Sequence, residues 1–571
     1  MSDLPKRTGP EASAAFLWAV ALLLGAAIVW AYAPILDNGI VWDDGGNLVA
    51  ARASWDRGLA GVAWAFREPF AGHYQPLTWI SYQVDAAISG ATPRGVHATQ
   101  LALHLAATGM VAWLAWALAG SAWPRKAPAW TDPRLRAAFA ASAAALFALH
   151  PIRVESVAWA TERRDLLSTL FALAAMALHL RASPADASPS PARGRIAFLH
   201  ALSALSRAQM TLPFVLLLLD LWPLRRLEGE PDRGRGLLRL VREKAISLVL
   251  AAASAAAAVW AQASHGALTA ASEHGVLDRL VQAGYGLAFY PAKLLFGRTW
   301  LPLYERPFPF EPGAPRLLLP ALAALAAIIA LAALFLLRWR LPALAVAFGA
   351  YLLLVLPVLG IAQSGIQLVA DRYAYLSTVP LVLLAAGAIT LLGSRLRSRL
   401  GKGALALGLI ALLAGYALAT RRQTLVWRDD ETLWRHVLAH SGSCLADNNL
   451  GYLLFVKGET GPALFHLVRS LERVPTYGRP WNGIAALLEA PSPSTGEPAP
   501  SWVADTLERA AATQRGAALP RYAAALAWAR AGDEARAENG FREVLAIDPD
   551  HEGARLALAR IRVRRASPAP P

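Results

Sequence analysis

Apolar residues in this chain come in runs too long and unbroken to be the buried stripe of a soluble helix. No charge intervenes between Ala14 and Pro34. A helix of that length can cross roughly 30 Å of hydrocarbon. It lacks the small-residue cleavage pattern of a signal peptide and is too long for that peptide's apolar core, so it reads as a retained span. Further runs fall at 97–119, 137–150, 164–180, 244–264, 316–337, 341–361, 373–393 and 403–420. The stretch 196–223 differs, because Arg207 and Pro213 interrupt it. A single helix there would put the basic residues on either side of it across the membrane from one another. A hairpin of two short helices, turning near Arg207, puts them on the same side.

Charge decides between the two. With the N-terminus inside and a hairpin at 196–223, the inner loops carry Arg125, Lys126, Arg134, Arg136, Arg193, Arg195, the Arg225–Lys244 cluster, Arg338, Arg340, Arg395, Arg397, Arg399 and Lys402. That asymmetry is the positive-inside pattern. It gives about eleven spans, with everything after Arg421 outside. The hairpin arms are short for a full crossing and must tilt or be buried in protein. Three outer segments are long: 35–96, 265–315 and 421–571. Large polar loops on one face, with short basic connectors on the other, point to chemistry or binding at the outer face. Internal duplication of the kind transporters show is missing.

Composition sharpens this picture. Apolar residues make up 56% of the chain and charged residues only 17%. The net charge is +15, from 55 Lys and Arg against 40 Asp and Glu. A basic balance raises nucleic acid as a partner, but these arginines sit largely in short inner loops, which argues for orientation in a lipid bilayer and no nucleic acid. The lone cysteine, Cys444, closes no intramolecular disulfide and builds no thiolate metal site.

The C-terminal segment has a different period. Residues 447–475 place Leu450-Gly451, Gly458, Ala463 and Pro475 at tetratricopeptide spacing, and 521–549 place Ala537, Phe541 and Pro549 in the same register. Small residues let paired helices approach, and proline ends the second helix of each pair. The interval between the two repeats fits a degenerate middle repeat carrying a loop at Ala490–Pro500. Such a domain either offers a surface for a protein or peptide, or simply caps the membrane part. The chain is therefore expected to be all-α. A polytopic membrane helical bundle occupies 1–420, and a C-terminal tetratricopeptide-repeat α-solenoid occupies 421–571.

A few polar residues need a reason to be near hydrocarbon. Asp43 and Asp44 follow the first span behind Trp42. A carboxylate there can act as a general base or bind a divalent cation, and a solvated turn with Gly45-Gly46 is the plain alternative. His97, Gln100 and His104 share one helix face, at a spacing too long for joint metal ligation, so they mark either a site or interhelical hydrogen bonding. The densest cluster runs His150, Arg153, Glu155, then Glu162, Arg163, Arg164 and Asp165. Charges of both signs here form a salt-bridged lid, or the arginines bind an anion. Arg372, in Asp371-Arg372-Tyr373, has the same character, and arginines of this kind hold phosphate bidentately or anchor lipid headgroups.

Several stretches, in order, resemble one known family. They are Trp42-Asp43-Asp44, HYQPLTWISYQVD (73–85), HATQLALH (97–104), ALFALHPIRVESVAWATERRDLLS (145–168), TLPFVLLLLDLWPLRR (211–226), GIQLVADRYAYL (365–376) and WRDDETLWRHVLAH (427–440). Together they look like the transmembrane-and-tetratricopeptide-repeat family, whose eukaryotic members are protein O-mannosyltransferases of the GT-C glycosyltransferase superfamily. The likeness is greatest to the family's bacterial branch.

The resemblance implies a GT-C-like bundle in a bacterial inner (cytoplasmic) membrane, with a cytoplasmic N-terminus and a periplasmic repeat domain. It implies inverting transfer of a sugar from a polyprenyl-phosphate donor to an acceptor hydroxyl, that of a protein or peptide brought by the repeats. The essential acid of such enzymes maps onto Asp43 and Asp44, one of them the general base. Arg372 with Arg163 and Arg164 would hold the departing phosphate, with His97, His104, His150, Arg153 and Glu155 lining the site. A divalent cation, Mg or Mn, at Asp43 and Asp44 is left open. A lysine common in the family near Gln209 is missing here. The alternative is a non-catalytic membrane scaffold whose repeats recruit an envelope-assembly or polysaccharide-export partner.

Overall fold

A computed structural model describes residues 10–50, 58–90, 92–121, 130, 132–182, 192–266, 274–336, 341–362, 365–490 and 501–566. The expected inner-loop residues Arg125, Lys126, Arg338 and Arg340 and the loop residues 491–500 lie outside that set. The described chain is helical almost throughout. Its named strands are Tyr304–Glu305 and Gln367–Val369, which pair antiparallel and bring the segment after residue 297 against the residues preceding Asp371. Two compact units emerge, Met1–Asp429 and Asp430–Pro571. The break falls beyond Arg421 because the last long helix runs on to Thr424 and ends in a short turn, Leu425–Trp427.

In the first unit the long helices are α1 (Pro10–Tyr32), α2 (Leu59–Arg67), α3 (Pro76–Ser89), α4 (Pro93–Ser121), α5 (Pro133–Ala148), α6 (Arg163–Ala182), α7 (Ala192–Ser206), α8 (Leu212–Leu221), α9 (Arg233–Glu243), α10 (Ala245–Ser264), α11 (Val276–Phe296), α12 (Pro315–Leu336), α13 (Pro342–Val355), α14 (Val379–Arg395) and α15 (Arg399–Thr424). Six helices are long and apolar enough to cross a membrane, or up to eight if two bent pairs each count as one span. The bends are 59° after α5 and 62° before α14. Residues 196–223 break at Arg207, with α7 ending at Ser206 and α8 starting at Leu212. Pro213 in the first turn of α8 costs no helical bond there, since that N–H has no intrahelical partner anyway.

Helices α4, α5, α6 and α14 bury much of their length against one another, while α10, α12 and α15 leave most of theirs open. Exposed Leu22, Leu23, Val249, Ile329 and Ile410 would be unfavourable in water and are at home against lipid. The buried interior of this unit is correspondingly polar in places. Arg153, Arg163, Glu162, Asp44 and His104 have no exposed surface at all.

The second unit consists of α16 (Asp430–His440), α17 (Cys444–Val456), α18 (Thr460–Arg473), α19 (Trp481–Glu489), α20 (Ser501–Thr513), α21 (Ala518–Ala531), α22 (Glu534–Ile547) and α23 (Glu552–Ala566). Close helix approach explains the small residues. A Cβ on Gly451 would lie 2.7 Å from Leu467, and one on Gly540 would lie 2.9 Å from Ala525. Ala463, Ala537 and Phe541 are buried at those crossings. Asp447, also buried, accepts from His466 at 2.8 Å and Arg473 at 2.7 Å, tying α17 to α18.

Candidate functional site

The segment between α5 and α6 builds the site. Pro151 disfavours helix at His150 and lacks an N–H to continue the ladder, so α5 stops there. A single turn (Pro151–Arg153), a short helix (Val154–Ala158), an extended Trp159 and another turn (Ala160–Glu162) follow before α6 begins. Each change of direction aims a different charged side chain. Burial makes pairing obligatory for all of them.

Glu155 and Glu162 gather the cationic groups. The Arg372 guanidinium meets Glu155 Oε1 at 2.5 Å and Glu162 Oε1 at 3.3 Å, and its backbone N–H donates to Glu155 Oε2 at 2.8 Å. Arg164 grips the same Glu162 with two bonds, at 2.5 and 3.1 Å. Arg207, from the break between α7 and α8, pairs with Asp165 and lies 3.8 Å from Glu162. Ser156 donates to Asp165 at 3.3 Å. Three arginines and three carboxylates thus form one network, which includes Glu155, Arg164 and Arg372 from the sequence expectation.

Arg207 and Arg372 also face open space. A cavity of about 60 Å³ is lined by both, with Asp165, Gln209, Tyr373 and Ser377. Leu354 and Leu376 form its apolar wall, and the same two leucines line a second cavity of about 250 Å³. That larger space is lined mainly by apolar side chains of α4, α5, α6, α8, α13 and α14, among them Leu118, Phe139, Met176 and Ala347, with Trp222 just beyond α8. A small polar chamber with two guanidinium groups therefore abuts a larger apolar one.

The Asp43-Asp44 turn approaches this network from the segment that follows α1. Asp44 is fully buried; one carboxylate oxygen accepts from Thr161 N and Thr161 Oγ1 at 2.7 and 2.6 Å, the other from Val41 N at 3.2 Å. Burial pushes its carboxyl up to about 7 against the opposing pull of those hydrogen bonds. Asp43 is exposed. Trp42, just before the pair, adopts a left-handed conformation, φ 55°, which a bulky residue enters only at a cost. Its ring stacks on Trp159 at 4.6 Å and 6°. Trp159 stacks in turn on Trp427 at 5.7 Å, and the Arg372 guanidinium lies 5.4 Å above the Trp159 ring. Both neighbours of Asp43 are thus fastened to residues 159–161, the segment that delivers Glu162. The buried indole N–H groups of Trp159 and Trp427 have no acceptor among the described residues.

Other expected residues are placed apart from the chamber. Arg163 is locked by Asp85 at 2.5 Å, Gln100 at 3.1 Å and the Val96 carbonyl at 2.9 Å, over the ring of Tyr82. His97 shares a 3.1 Å hydrogen bond with the Gly39 carbonyl. His104 bonds to Tyr375 at 2.8 Å and the Ala148 carbonyl at 3.2 Å. Arg153 spends its guanidinium on the carbonyls of Phe147, Ala374 and Tyr375 and on Thr378. His150 joins the Leu294 carbonyl to the Ile152 N–H. These hydrogen bonds and ion pairs fasten neighbouring segments of the bundle together.

Two residues at the network were not among the expected site residues. Arg207 looked only like a helix breaker. His73 is half-buried, and burial together with the nearby Arg164 holds its imidazole well below the usual value, hence neutral. Its position in the stretch 73–85, one of those that carry the family resemblance, was the available signal. As for a metal, no group of three or more His, Cys, Asp or Glu side chains converges among the described residues. Three hydrogen bonds already hold the Asp44 carboxylate, which leaves Asp43 as the exposed acid of the pair.

Comparison with known proteins gives one local likeness. No family model matches the chain, and no solved structure matches it. Over 108 residues the chain is 31% identical to protein O-mannosyl-transferase TMTC2 of Mus musculus. The match covers 19% of this chain and 11% of that protein, so it is a similarity of one segment to a glycosyltransferase.

Proposed function

We propose that this chain is an integral-membrane glycosyltransferase of GT-C type that moves a sugar from a polyprenyl-phosphate donor to an acceptor hydroxyl at the outer membrane face. The observation that carries the reading is the paired chamber. An anionic headgroup suits the cavity bearing Arg207 and Arg372, and an isoprenoid tail suits the apolar cavity that meets it at Leu354 and Leu376. Arg207 supplies the positive charge that a lysine near Gln209 supplies in the family this sequence resembles. The similarity to an O-mannosyl-transferase supports the same class.

In the proposed step the acceptor oxygen attacks the anomeric carbon as the bond from that carbon to the phosphate oxygen breaks, with inversion. The acceptor proton passes to Asp43, the exposed carboxylate. The charge left on the lipid phosphate is stabilised by Arg207 and Arg372, already oriented by Glu155, Glu162 and Asp165. Asp44 holds the loop. No step is routed through a divalent cation. The second unit, read as a tetratricopeptide-repeat solenoid with a degenerate middle repeat, recruits a protein or peptide acceptor. An eleven-span arrangement in a bacterial inner membrane, with that unit periplasmic, completes the proposal.

The test is to incubate the purified protein with a panel of polyprenyl-phosphate sugars and follow transfer or hydrolysis. Turnover lost in Asp43→Asn, with folding unchanged, supports the reading. No turnover or binding of any donor favours the scaffold alternative, to which the extensive internal pairing of the charged network would then belong.

A further inference from the structure

Helix α9 lies outside the proposed reaction and has three distinct faces. It starts at Asp232, whose carboxylate caps the N–H groups of Gly234 and Arg235 at 2.9 and 3.0 Å. One face is clamped to the protein. A Cβ on Gly236 would sit 2.9 Å from Leu227, so the backbone approaches that loop closely. Arg239 pairs with Glu230 at 2.5 Å. Glu243 pairs with Arg226 at 2.7 Å and Arg193 at 3.1 Å, and Leu240 is fully buried.

The rest of the helix is uncovered and sorted by polarity. Leu237, Val241 and Leu238 fall within roughly 100° of one another around the axis, and Arg242 and Arg235 fall within roughly 20° of each other beside them. Leu237 is 44% and Leu238 49% exposed, which in water would be a cost without return. Arg235 and Arg242 are exposed too. Lys244 alone separates α9 from α10, a helix long and apolar enough to span, whose Ile246 and Val249 are open from its first turn. The C-terminal end of α9 therefore sits where α10 enters the bilayer. The clamped face fixes how the helix is turned there.

We propose that α9 lies in the plane of the membrane surface and binds anionic phospholipid. Leu237, Leu238 and Val241 reach the boundary of the acyl chains, and Arg235 and Arg242 engage the phosphates of acidic headgroups. The charges suit this occupant. Arg239 is spent on Glu230, whereas among the described residues Arg235 pairs with the exposed Asp232 that caps its own helix. This function is independent of any transferase activity.

Two measurements on the full-length protein test it. A nitroxide on Leu238→Cys, in a Cys444→Ser background, is reconstituted in vesicles of phosphatidylcholine and phosphatidylglycerol. Its accessibility is compared with labels at the exposed Asp550 and at Val249 in the span. The label at 238 should resemble Val249, favouring oxygen over a water-soluble nickel chelate. Access to the chelate equal to that at Asp550, or shielding from both reagents as a protein partner would cause, overturns the proposal. The pair Arg235→Glu and Arg242→Glu leaves the clamp intact. It should lower the preference for phosphatidylglycerol over phosphatidylcholine, read by lipid retention in native mass spectrometry, by roughly tenfold. An unchanged preference also overturns it.

Discussion

The Asp44 carboxylate accepts from both the N–H and the hydroxyl of Thr161, at 2.7 and 2.6 Å, and so fastens the turn after α1 to the segment that carries Glu162. Its neighbour Asp43 points outward. The two acids should therefore fail differently. Asp44→Ala strands buried donors on Thr161 and Val41 and should lower stability by roughly 1–3 kcal/mol, read as a drop in the unfolding temperature in detergent. Asp43→Asn should leave that temperature unchanged and cut transfer by roughly 10²–10⁴-fold. Equal thermal losses in both variants would remove the distinction.

The same burial gives Asp44 a pH signature. Its carboxyl is raised from an ordinary 3.8 to about 7 in the folded protein, so between those values the folded state binds a proton that the unfolded state has released. The contribution of that proton to stability is fully present below about pH 4 and is lost as pH rises through about 7. Asp44→Asn removes the titration. The difference in unfolding temperature between wild type and Asp44→Asn should shift against the wild type as pH goes from about 5 to 8, a comparison in which all other titrating groups cancel. A pH-independent difference would mean that Asp44 stays ionised throughout.

Adjacent like residues explain what the sequence could and could not reveal. The apolar runs dictate helices because hydrocarbon leaves the backbone no other partner, and the positive-inside asymmetry favours a break at Arg207, which the chain has. Small residues at Gly451 and Ala463 foretell close helix crossings for the same steric reason. Pairs such as Asp43 and Asp44, or Arg163 and Arg164, resist this reasoning. Successive helical residues point about 100° apart, so Arg163 reaches Asp85 while Arg164 reaches Glu162. The adjacent Asp43 and Asp44 likewise part company, one exposed and the other fully buried. Arg207 and His73 join the network through contacts distant in sequence, and no spacing rule encodes those.

That division among arginines is itself testable by conservative exchange. Arg163 spends its whole fork on Asp85, Gln100 and the Val96 carbonyl in a fully buried site. Arg163→Lys keeps the charge but loses at least one charge-assisted hydrogen bond, each worth roughly 1.5–3 kcal/mol, and should destabilise the fold accordingly. Arg207 has a side chain 26% exposed, lines the polar chamber and can keep its pairing with Asp165 as lysine. Arg207→Lys should fold normally yet transfer sugar roughly tenfold more slowly, because an ammonium cannot grip a phosphate bidentately. Thermal unfolding and donor turnover on the same two preparations separate the effects, and a reversed pattern would exchange the two roles.

The apolar chamber makes a prediction about the length of the donor's tail. Ala347 lines it and is only partly buried, so Ala347→Phe adds a ring into open space and not into packed atoms. Each methylene that the ring excludes forfeits roughly 0.8 kcal/mol of burial, and losing two of them is worth roughly a factor of ten in affinity. The apparent KM for a long-chain polyprenyl-phosphate sugar should therefore rise about tenfold in Ala347→Phe. A short-tailed donor, which engages the arginines at the chamber mouth without filling the space beyond Leu354 and Leu376, should be turned over as in the wild type. The ratio of the two KM values is the measurement. If both rise together, the substitution has disturbed the arginine chamber; if neither moves, the tail lies elsewhere and the apolar cavity is only a packing defect between α13 and α14.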